Sequence, residues 1–446
     1  MTTRRHFLES LTMAAPWIGW QTTASGGPPS RDLRVASVGA ARRAWRNIEG
    51  IMNVPGVTLV AVAEVDTDHL EQVNADYPDA RVYRDWREML DREAGELDAV
   101  LVGTPDHMHA AIAMSAMQLG LHVYCEKPLT RTVHEARVLR NFADDHSDIV
   151  TQMGNQLASA ESNQAVVRAL REGMVGTVRE IHSLNPKAWG SMEPLPESDE
   201  SVPGGLDWNL WTGVRPMRPW VPGHFHPREW RGRIGFGCSN LGDMGCHIMH
   251  PWFMGIDCAP PTTVESLGPG PANEHSWPLD IRVRWEFPGT EFSGGKPFVA
   301  YWHDEGQSPP EHVVAAVGGR ENLVSSGSVV IGSRGTLVSP HGGKSEISLY
   351  VDGEKDPDAF GSLPPAGDHH RNFVDAIRGE NEGRPPISHF GYSGNLTEAV
   401  LLGTNAVRVP GEKLEWDSAN LRFTNSEKAN RLVKEPHRDG WEVEGL

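Results

Sequence analysis

Leu121-His-Val-Tyr-Cys-Glu-Lys-Pro-Leu-Thr130 is a short apolar run that ends abruptly in an acid, a lysine and a proline. The run predicts a buried strand over residues 121–125. In an open α/β sheet the carboxyl end of a strand is where ligands bind. An acid and a base at such an end, Glu126 and Lys127, are poor for packing and well suited to chemistry. A solvated strand end would read the same way, so the flanking chain has to decide.

Outward from that run, strand and helix signals alternate. Strands are predicted over 33–39, 57–64, 81–83, 97–103 and 149–153. Helical stretches are predicted over 41–49, 66–77, 86–93, 107–119 and 133–146. Such alternation over about 120 residues argues for a doubly wound parallel sheet, the Rossmann arrangement. Its nucleotide fingerprint falls at Gly39-Ala-Ala-Arg-Arg-Ala44, where only the first glycine of G-x-G-x-x-G is present. Ala44 suits the third position, which serves helix–strand packing; Ala41 at the second places a methyl group where the backbone should approach a pyrophosphate. Arg42 and Arg43 can offset that with charge, or simply be solvated. Glu64 ends the second strand 25 residues after Gly39, where an acid accepts bonds from the adenosine ribose and repels a 2′-phosphate. This favours NAD over NADP. Asp66 is the alternate acid, or the N-cap of the next helix. Thr104-Pro105-Asp-His-Met-His109 leaves the fourth strand at the same carboxyl edge.

The length of 446 residues suits two or three domains, and 39% hydrophobic with 22% charged residues is ordinary for a globular chain. A net charge of −18 argues against nucleic-acid or anionic-membrane partners. No apolar run beyond the N-terminus reaches the roughly 20 residues of a membrane span. Thr3-Arg-Arg-His-Phe-Leu8, with an apolar stretch to Trp20, matches the bacterial twin-arginine export pattern. Residues 1–30 are therefore expected to be an export signal and linker recognised by the twin-arginine machinery, with a periplasmic or exported destination. Cys125, Cys238, Cys246 and Cys258 show no C-x-x-C spacing, so their pairing stays open.

Thr104-Pro105-x-x-x-His109, Ala116, Gly120 and Glu126-Lys127-Pro128 fall in one register that resembles the Gfo/Idh/MocA oxidoreductases (glucose–fructose oxidoreductase, inositol dehydrogenase and relatives). The second half extends the resemblance: Gln152–Gln156 is similar to the crossing into the substrate domain, and Trp230-Arg231 and Leu241-Gly-Asp-Met-Gly-Cys-His247 to the D-x-x-x-H signature. The resemblance is closest to an exported bacterial branch. It implies a Rossmann domain over 31–153 and a substrate and oligomerisation domain over 154–446 that carries an open, mainly antiparallel sheet. It implies tightly bound NAD held by Gly39, Ala41, Arg42, Glu64, Asp66, Thr104, Pro105, His109, Glu126, Lys127 and Pro128. Lys127 is implied as catalytic, often with a cis bond to Pro128, and the assembly as a homodimer or homotetramer.

Asp243 and His247 are four apart, so they share one helix face and the carboxylate is expected to orient the imidazole. Asn155, Trp230 and Arg231 are the expected substrate contacts. Nine tryptophans between Trp189 and Trp302 suit the apolar faces of sugars, although core packing explains most of them. His224, His226, Asp243, His247 and His250 could be read as a metal set, but none has closed-site spacing and no metal is expected. The leading reading is an NAD-dependent oxidoreductase of a sugar, glycoside or polyol, with the base role undivided between Lys127 and His247. The alternative is a glycosidase or lyase that recycles its NAD through oxidation, elimination and reduction. A catalytically silent sugar or nucleotide sensor is the third.

Overall fold

A computed structural model describes residues 32–342, 346–361, 363 and 365–446; the export-type segment lies outside them. β1 (Leu33–Val38), β2 (Val57–Ala63), β3 (Arg81–Tyr83), β4 (Ala99–Val102), β5 (His122–Glu126) and β6 (Thr151–Gly154) form one parallel sheet. Its order, β3-β2-β1-β4-β5-β6, is the doubly wound one, with the switch point between β1 and β4. The strands are apolar throughout because helices cover both faces. Val35, Leu101 and Tyr124 face one side with Ile48 and Ile51; Val100, Val102 and Val123 face the other with Ile112 and Met114.

Among the described residues the second sheet has ten strands, β7 (Val178–Leu184), β8 (Thr263–Ser266), β9 (Arg282–Phe287), β10 (Phe298–His303), β11 (Gly327–Gly332), β12 (Thr336–Pro340), β13 (Ser348–Val351), β14 (Glu354–Asp356), β15 (Lys413–Asp417) and β16 (Arg422–Phe423), in the order β14-β13-β12-β11-β7-β10-β9-β8-β15-β16. Its centre is β7 (Val178–Leu184) beside β10 (Phe298–His303), its one parallel pair. β9 (Arg282–Phe287) alternates buried and half-buried residues, as its sequence predicts for a sheet with one covered face. The sheet is thus mixed but mostly antiparallel.

The apolar spacing of residues 396–408 predicts a helix there; the observed helix, Phe390–Val407, begins six residues earlier, because Gly391, Ser393 and Gly394 read as loop. Those small residues allow close approach instead. A methyl group on Gly394 would stand 2.7 Å from the Arg140 side chain on the helix Val133–Asp145. The same two helices are joined by Glu398, fully buried, whose carboxylate accepts from Arg137 at 2.7–3.1 Å and from Trp416 at 3.0 Å.

The second half also returns to the first. The helix His369–Arg378 adds Phe373 and Val374 to the core over Tyr124, and Trp441 lies under Arg87 with 3.9 Å between guanidinium and ring. The range 154–446 is therefore not a detached lobe. A segment around Gly205–Asp207 straps the carboxyl edge of the first sheet: Thr67 N–H donates to the Gly205 carbonyl at 3.1 Å and Asp207 N–H to that of Val65 at 2.9 Å. Arg84 donates to both carbonyls. All four cysteines are free.

Removing the partner of a buried charge costs about 3–5 kcal/mol, because the remaining ion has lost its water and its counter-ion. Glu398→Ala is therefore expected to destabilise the fold by about that amount, whereas Glu415→Ala, at an exposed position of strand β15 (Lys413–Asp417), should change stability by less than about 0.5 kcal/mol. Urea unfolding followed by circular dichroism measures both.

Candidate active site

One cleft of about 970 Å³ runs from the glycine loop to the helix Ser239–Ile248. At its first end Gly39 has φ +99°, and a methyl group there would stand 3.1 Å from both the Gly103 carbonyl and Ala44 Cβ. Ala44 is buried and fills the space between β1, β4 and the helix Arg43–Met52, so alanine does serve at the third fingerprint position. Ala41, Arg42 and Arg43 line the cleft where that helix presents its unpaired first-turn N–H groups. Glu64 also lines it. Its Oε2 accepts from Ala40 N–H at 2.9 Å and its Oε1 from Asp66 N–H at 3.0 Å, so the carboxylate holds the glycine loop while keeping lone pairs toward the cleft. Thr104 and Pro105 line the wall opposite, and Thr104 Oγ1 is buried without a partner. A narrow glycine approach, a helix N-terminus, a strand-end acid and an orphaned hydroxyl fit a dinucleotide.

Three expected cofactor contacts are elsewhere. Both ring nitrogens of His109 meet backbone carbonyls, Pro128 at 2.8 Å and Thr104 at 2.9 Å, so this buried ring staples the β4 and β5 loops together behind the cleft. Pro128 packs behind the cleft wall, with its ring 3.9 Å from where a methyl group on Gly242 would stand. Asp66 caps the turn Thr67–His69 by accepting from Asp68 N–H, and its other oxygen is taken by His226 Nε2 at 2.8 Å.

β5 delivers Glu126 and Lys127 to the middle of the cleft, and the Lys127–Pro128 bond is cis. Glu126 is buried, with Oε1 accepting from Asn47 at 2.9 Å and Gln156 at 2.8 Å. Lys127 Nζ donates to Asp243 twice, to the backbone carbonyl at 2.6 Å and to Oδ1 at 2.8 Å. Arg231 Nε also reaches Asp243 Oδ1 at 3.3 Å; Lys187 Nζ at 3.3 Å and Trp189 Nε1 at 3.1 Å take Oδ2. Burial would raise this carboxyl, but Lys127, Arg231 and Lys187 together hold it well below the usual range. It stays ionised and serves as a fixed anchor.

Asp243 does not orient His247, although both lie on one helix. The three cations and Trp189 occupy the carboxylate, and His247 Nδ1 pairs instead with Asn155 Oδ1 at 2.5 Å. Asn155 donates its amide to the Cys246 carbonyl at 2.9 Å, which fixes its oxygen toward the imidazole. Nδ1 must then carry the proton, and Nε2 keeps a lone pair. Burial, with Lys127 and His341 nearby, holds His247 well below the usual histidine pKa, so the ring is neutral. Asn155, fully buried, thus positions His247 and is not a substrate contact.

Trp230 and Arg231 line the cleft, the guanidinium 4.3 Å from the Trp230 ring. Of the nine tryptophans, only Trp189 is not buried; Trp208, Trp211, Trp220 and Trp230 form an aromatic core with Phe225 and Phe236. The weighed metal set disperses: His224 pairs with Arg233, His226 with Asp66, His247 with Asn155 and His250 with Tyr392. Two other groups, Asp66–His69–His226 and Glu180–His182–His312, bring their ligand atoms within 4.8 Å of one another. Sequence reasoning missed Lys187 and His341 and did not single out Trp189 from the nine tryptophans; all three line the cleft. Lys187 and Trp189 lie just beyond β7, so the strand-end rule applied to Glu126 and Lys127 would have reached them had that strand been recognised.

Residues 33–153 match a family model described as an oxidoreductase family with an NAD-binding Rossmann fold, and residues 170–276 match that family's C-terminal alpha/beta domain. The chain belongs to the Gfo/Idh/MocA oxidoreductase family. Levoglucosan dehydrogenase of Pseudarthrobacter phenanthrenivorans is 28% identical over 145 residues, 32% of this chain and 36% of that one. A glycosyl hydrolase family 109 protein of a Shewanella is 27% identical over 170 residues, 36% of each chain. The match therefore spans about a third of the length of these curated relatives. An inositol dehydrogenase homolog from Azotobacter vinelandii, solved with NAD+, aligns with a TM-score of 0.61 at 18% identity, covering 87% of this chain and 98% of that one. The aldose-aldose oxidoreductase of Caulobacter crescentus, solved with glycerol, gives 0.58 at 17%, covering 86% and 100%. At these identities the likeness is one of fold.

Asn155→Asp places a carboxylate on His247 Nδ1 and stabilises the imidazolium. The His247 pKa is expected to rise and Asn155→Leu to leave it depressed; NMR titration of the histidine ring signals reads both.

Proposed function

We propose that this protein is an NAD-dependent oxidoreductase of a sugar or polyol, with His247 as the base and Lys127 as the group that holds the reacting oxygen. The observation that carries this reading is the Asn155–His247 pair opposite Lys127 in a cleft that also contains a dinucleotide-type loop. The bound nicotinamide would supply the hydride acceptor. His247 Nε2, neutral and with its lone pair free, takes the proton of the substrate hydroxyl. Lys127, held by two contacts to Asp243, keeps an N–H directed at the same oxygen and stabilises the negative charge that grows there. Both contacts commit N–H groups of Lys127 to Asp243, and this supports His247 in the base role.

Glu64 supports NAD over NADP, since its carboxylate at the end of β2 would repel a 2′-phosphate. The Gly205–Asp207 strap across the sheet edge supports a retained cofactor. Export through the twin-arginine pathway rests on Arg4-Arg5 and the apolar stretch that follows, and assembly into a homo-oligomer on the resemblance alone. A retained cofactor outside the cytoplasm has to return its hydride within the cycle. That constraint, with the family 109 likeness, keeps oxidation–elimination–reduction of a glycoside as the second reading.

Denaturation of the purified protein in cold methanol at neutral pH is expected to release NAD or NADH and no NADP, as read by mass spectrometry; a protein with neither bound dinucleotide nor affinity for added NAD would overturn the reading. Accumulation of a keto-sugar supports net oxidation, whereas bond cleavage at constant NAD content supports the recycling route. Lys127→Ala is expected to lower turnover by about 10²–10⁴-fold, the range for a group acting at the reacting oxygen, with dinucleotide content preserved.

A further inference from the structure

The chain carries a net charge of −18, yet eight Lys or Arg and only four Asp or Glu line the cleft. Near the glycine loop that excess matches a pyrophosphate. At the far end, around Lys127 and His247, no cofactor phosphate accounts for it. There Lys127, Lys187 and Arg231 surround the single carboxylate of Asp243. Arg228 lies beside them at the rim and is offset by Glu229 at 3.2 Å.

The other acids of this end do not balance the surplus. Glu126 is turned to Asn47 and Gln156 on the inner side of Lys127. Asp106 is buried at the start of its helix and receives Cys238 N–H at 3.1 Å. His247 and His341 are held neutral by burial. An oxidised nicotinamide would add one more positive charge.

Two of the cations also have donors to spare. Arg231 spends Nε on Asp243 and Nη1 on the Arg228 carbonyl at 3.4 Å, which leaves Nη2 without a protein partner among the described residues. Lys187 is half exposed and spends two of its three N–H groups, on Asp243 and Met244 Sδ. Asn240 fixes its position by donating to the Lys187 carbonyl at 2.7 Å and to Asp304 at 2.6 Å. Trp189, the half-buried indole, donates to the same Asp243 carboxylate and has Arg228 at 5.5 Å and Arg231 at 5.8 Å from its ring. A ring held along Trp189 would thus meet the ammonium of Lys187 and the planar guanidinium of Arg231, the two cations that share Asp243 with the indole. That is a fork for a carboxylate, which a neutral polyol would leave unpaired.

We infer that the substrate of this site is a sugar acid, its carboxylate bound between Lys187 and Arg231. This rests on the oxidoreductase reading above and narrows its substrate class. A pair of charge-assisted hydrogen bonds present for a uronate and missing for a hexose is worth about tenfold to hundredfold in affinity.

The test uses the full-length purified protein loaded with NADH. Its affinity for D-glucuronate, D-galacturonate and D-mannuronate is compared with that for D-glucose, D-galactose and D-mannose by calorimetry at low and high salt. At least one uronate is expected to bind about tenfold or more above its parent hexose, with the advantage shrinking as salt screens the pair. Lys187→Gln, at a half-exposed position, should collapse that ratio. In turnover the loss should appear in KM for the acid more than in kcat. Arg231→Gln should act in the same direction, and thermal melting of both variants shows whether they fold. Hexoses binding as tightly as uronates, or no uronate binding at all to protein that holds its dinucleotide, overturns the inference and leaves the oxidoreductase reading standing. Protein that cannot be loaded with NADH overturns both.

Discussion

Asp243 must be ionised, buried and fully partnered at once, and much of the site follows from that demand. A carboxylate removed from water costs several kcal/mol unless cations and donors replace its hydration. Here Lys127 comes from the end of β5, Lys187 and Trp189 from the loop beyond β7, and Arg231 from a turn before the helix that carries Asp243 itself. One charge thereby draws two sheets and an inserted segment to a single point. Lys127 is held there by a backbone carbonyl and a carboxylate oxygen, so its direction does not depend on its own flexible stem.

The same economy governs the junction between the two halves. Glu398 and Arg137 cross it as a buried pair, and Glu435 gathers Arg131, Arg215 and Arg408 at 2.6–2.9 Å. Around these charges lie Leu396, Val400 and Leu139, which belong to one apolar cluster shared by both sheets. A shared core resists independent motion of its parts. The cleft between the sheets is therefore a preformed place for a ligand, with walls set by packing.

Much of this was legible in the linear chain. The first six strands and their parallel arrangement followed from apolar runs alternating with amphipathic stretches, since a parallel sheet covered on both faces can hardly be written otherwise. Arg81–Tyr83 and Trp86–Glu93 match their predicted spans, because an N-capping Asp85 and an acid-rich turn mark the helix start. The mixed sheet was less legible, as its β7 alternation, Arg179-Glu-Ile-His-Ser-Leu184, reads equally as loop or strand. The early start of the helix Phe390–Val407 was hidden for a related reason: its glycines serve a close helix contact that only the partner helix reveals.

By itself the sequence determined the residue types of the site and the strand ends or helices that carry them. Spacing along one element is a local property, so Lys127 after β5 and Asp243 and His247 on one helix were available without coordinates. Partnership is not local. Helical spacing placed Asp243 beside His247, but the carboxylate was claimed by cations 56 and 116 residues away, and the imidazole by Asn155, 92 residues away. His109 likewise looked like a ligand residue and became a staple, because two carbonyls from neighbouring loops closed on its ring. Only the tertiary structure decided these pairings, since a buried polar group takes whichever partner the packing brings within reach.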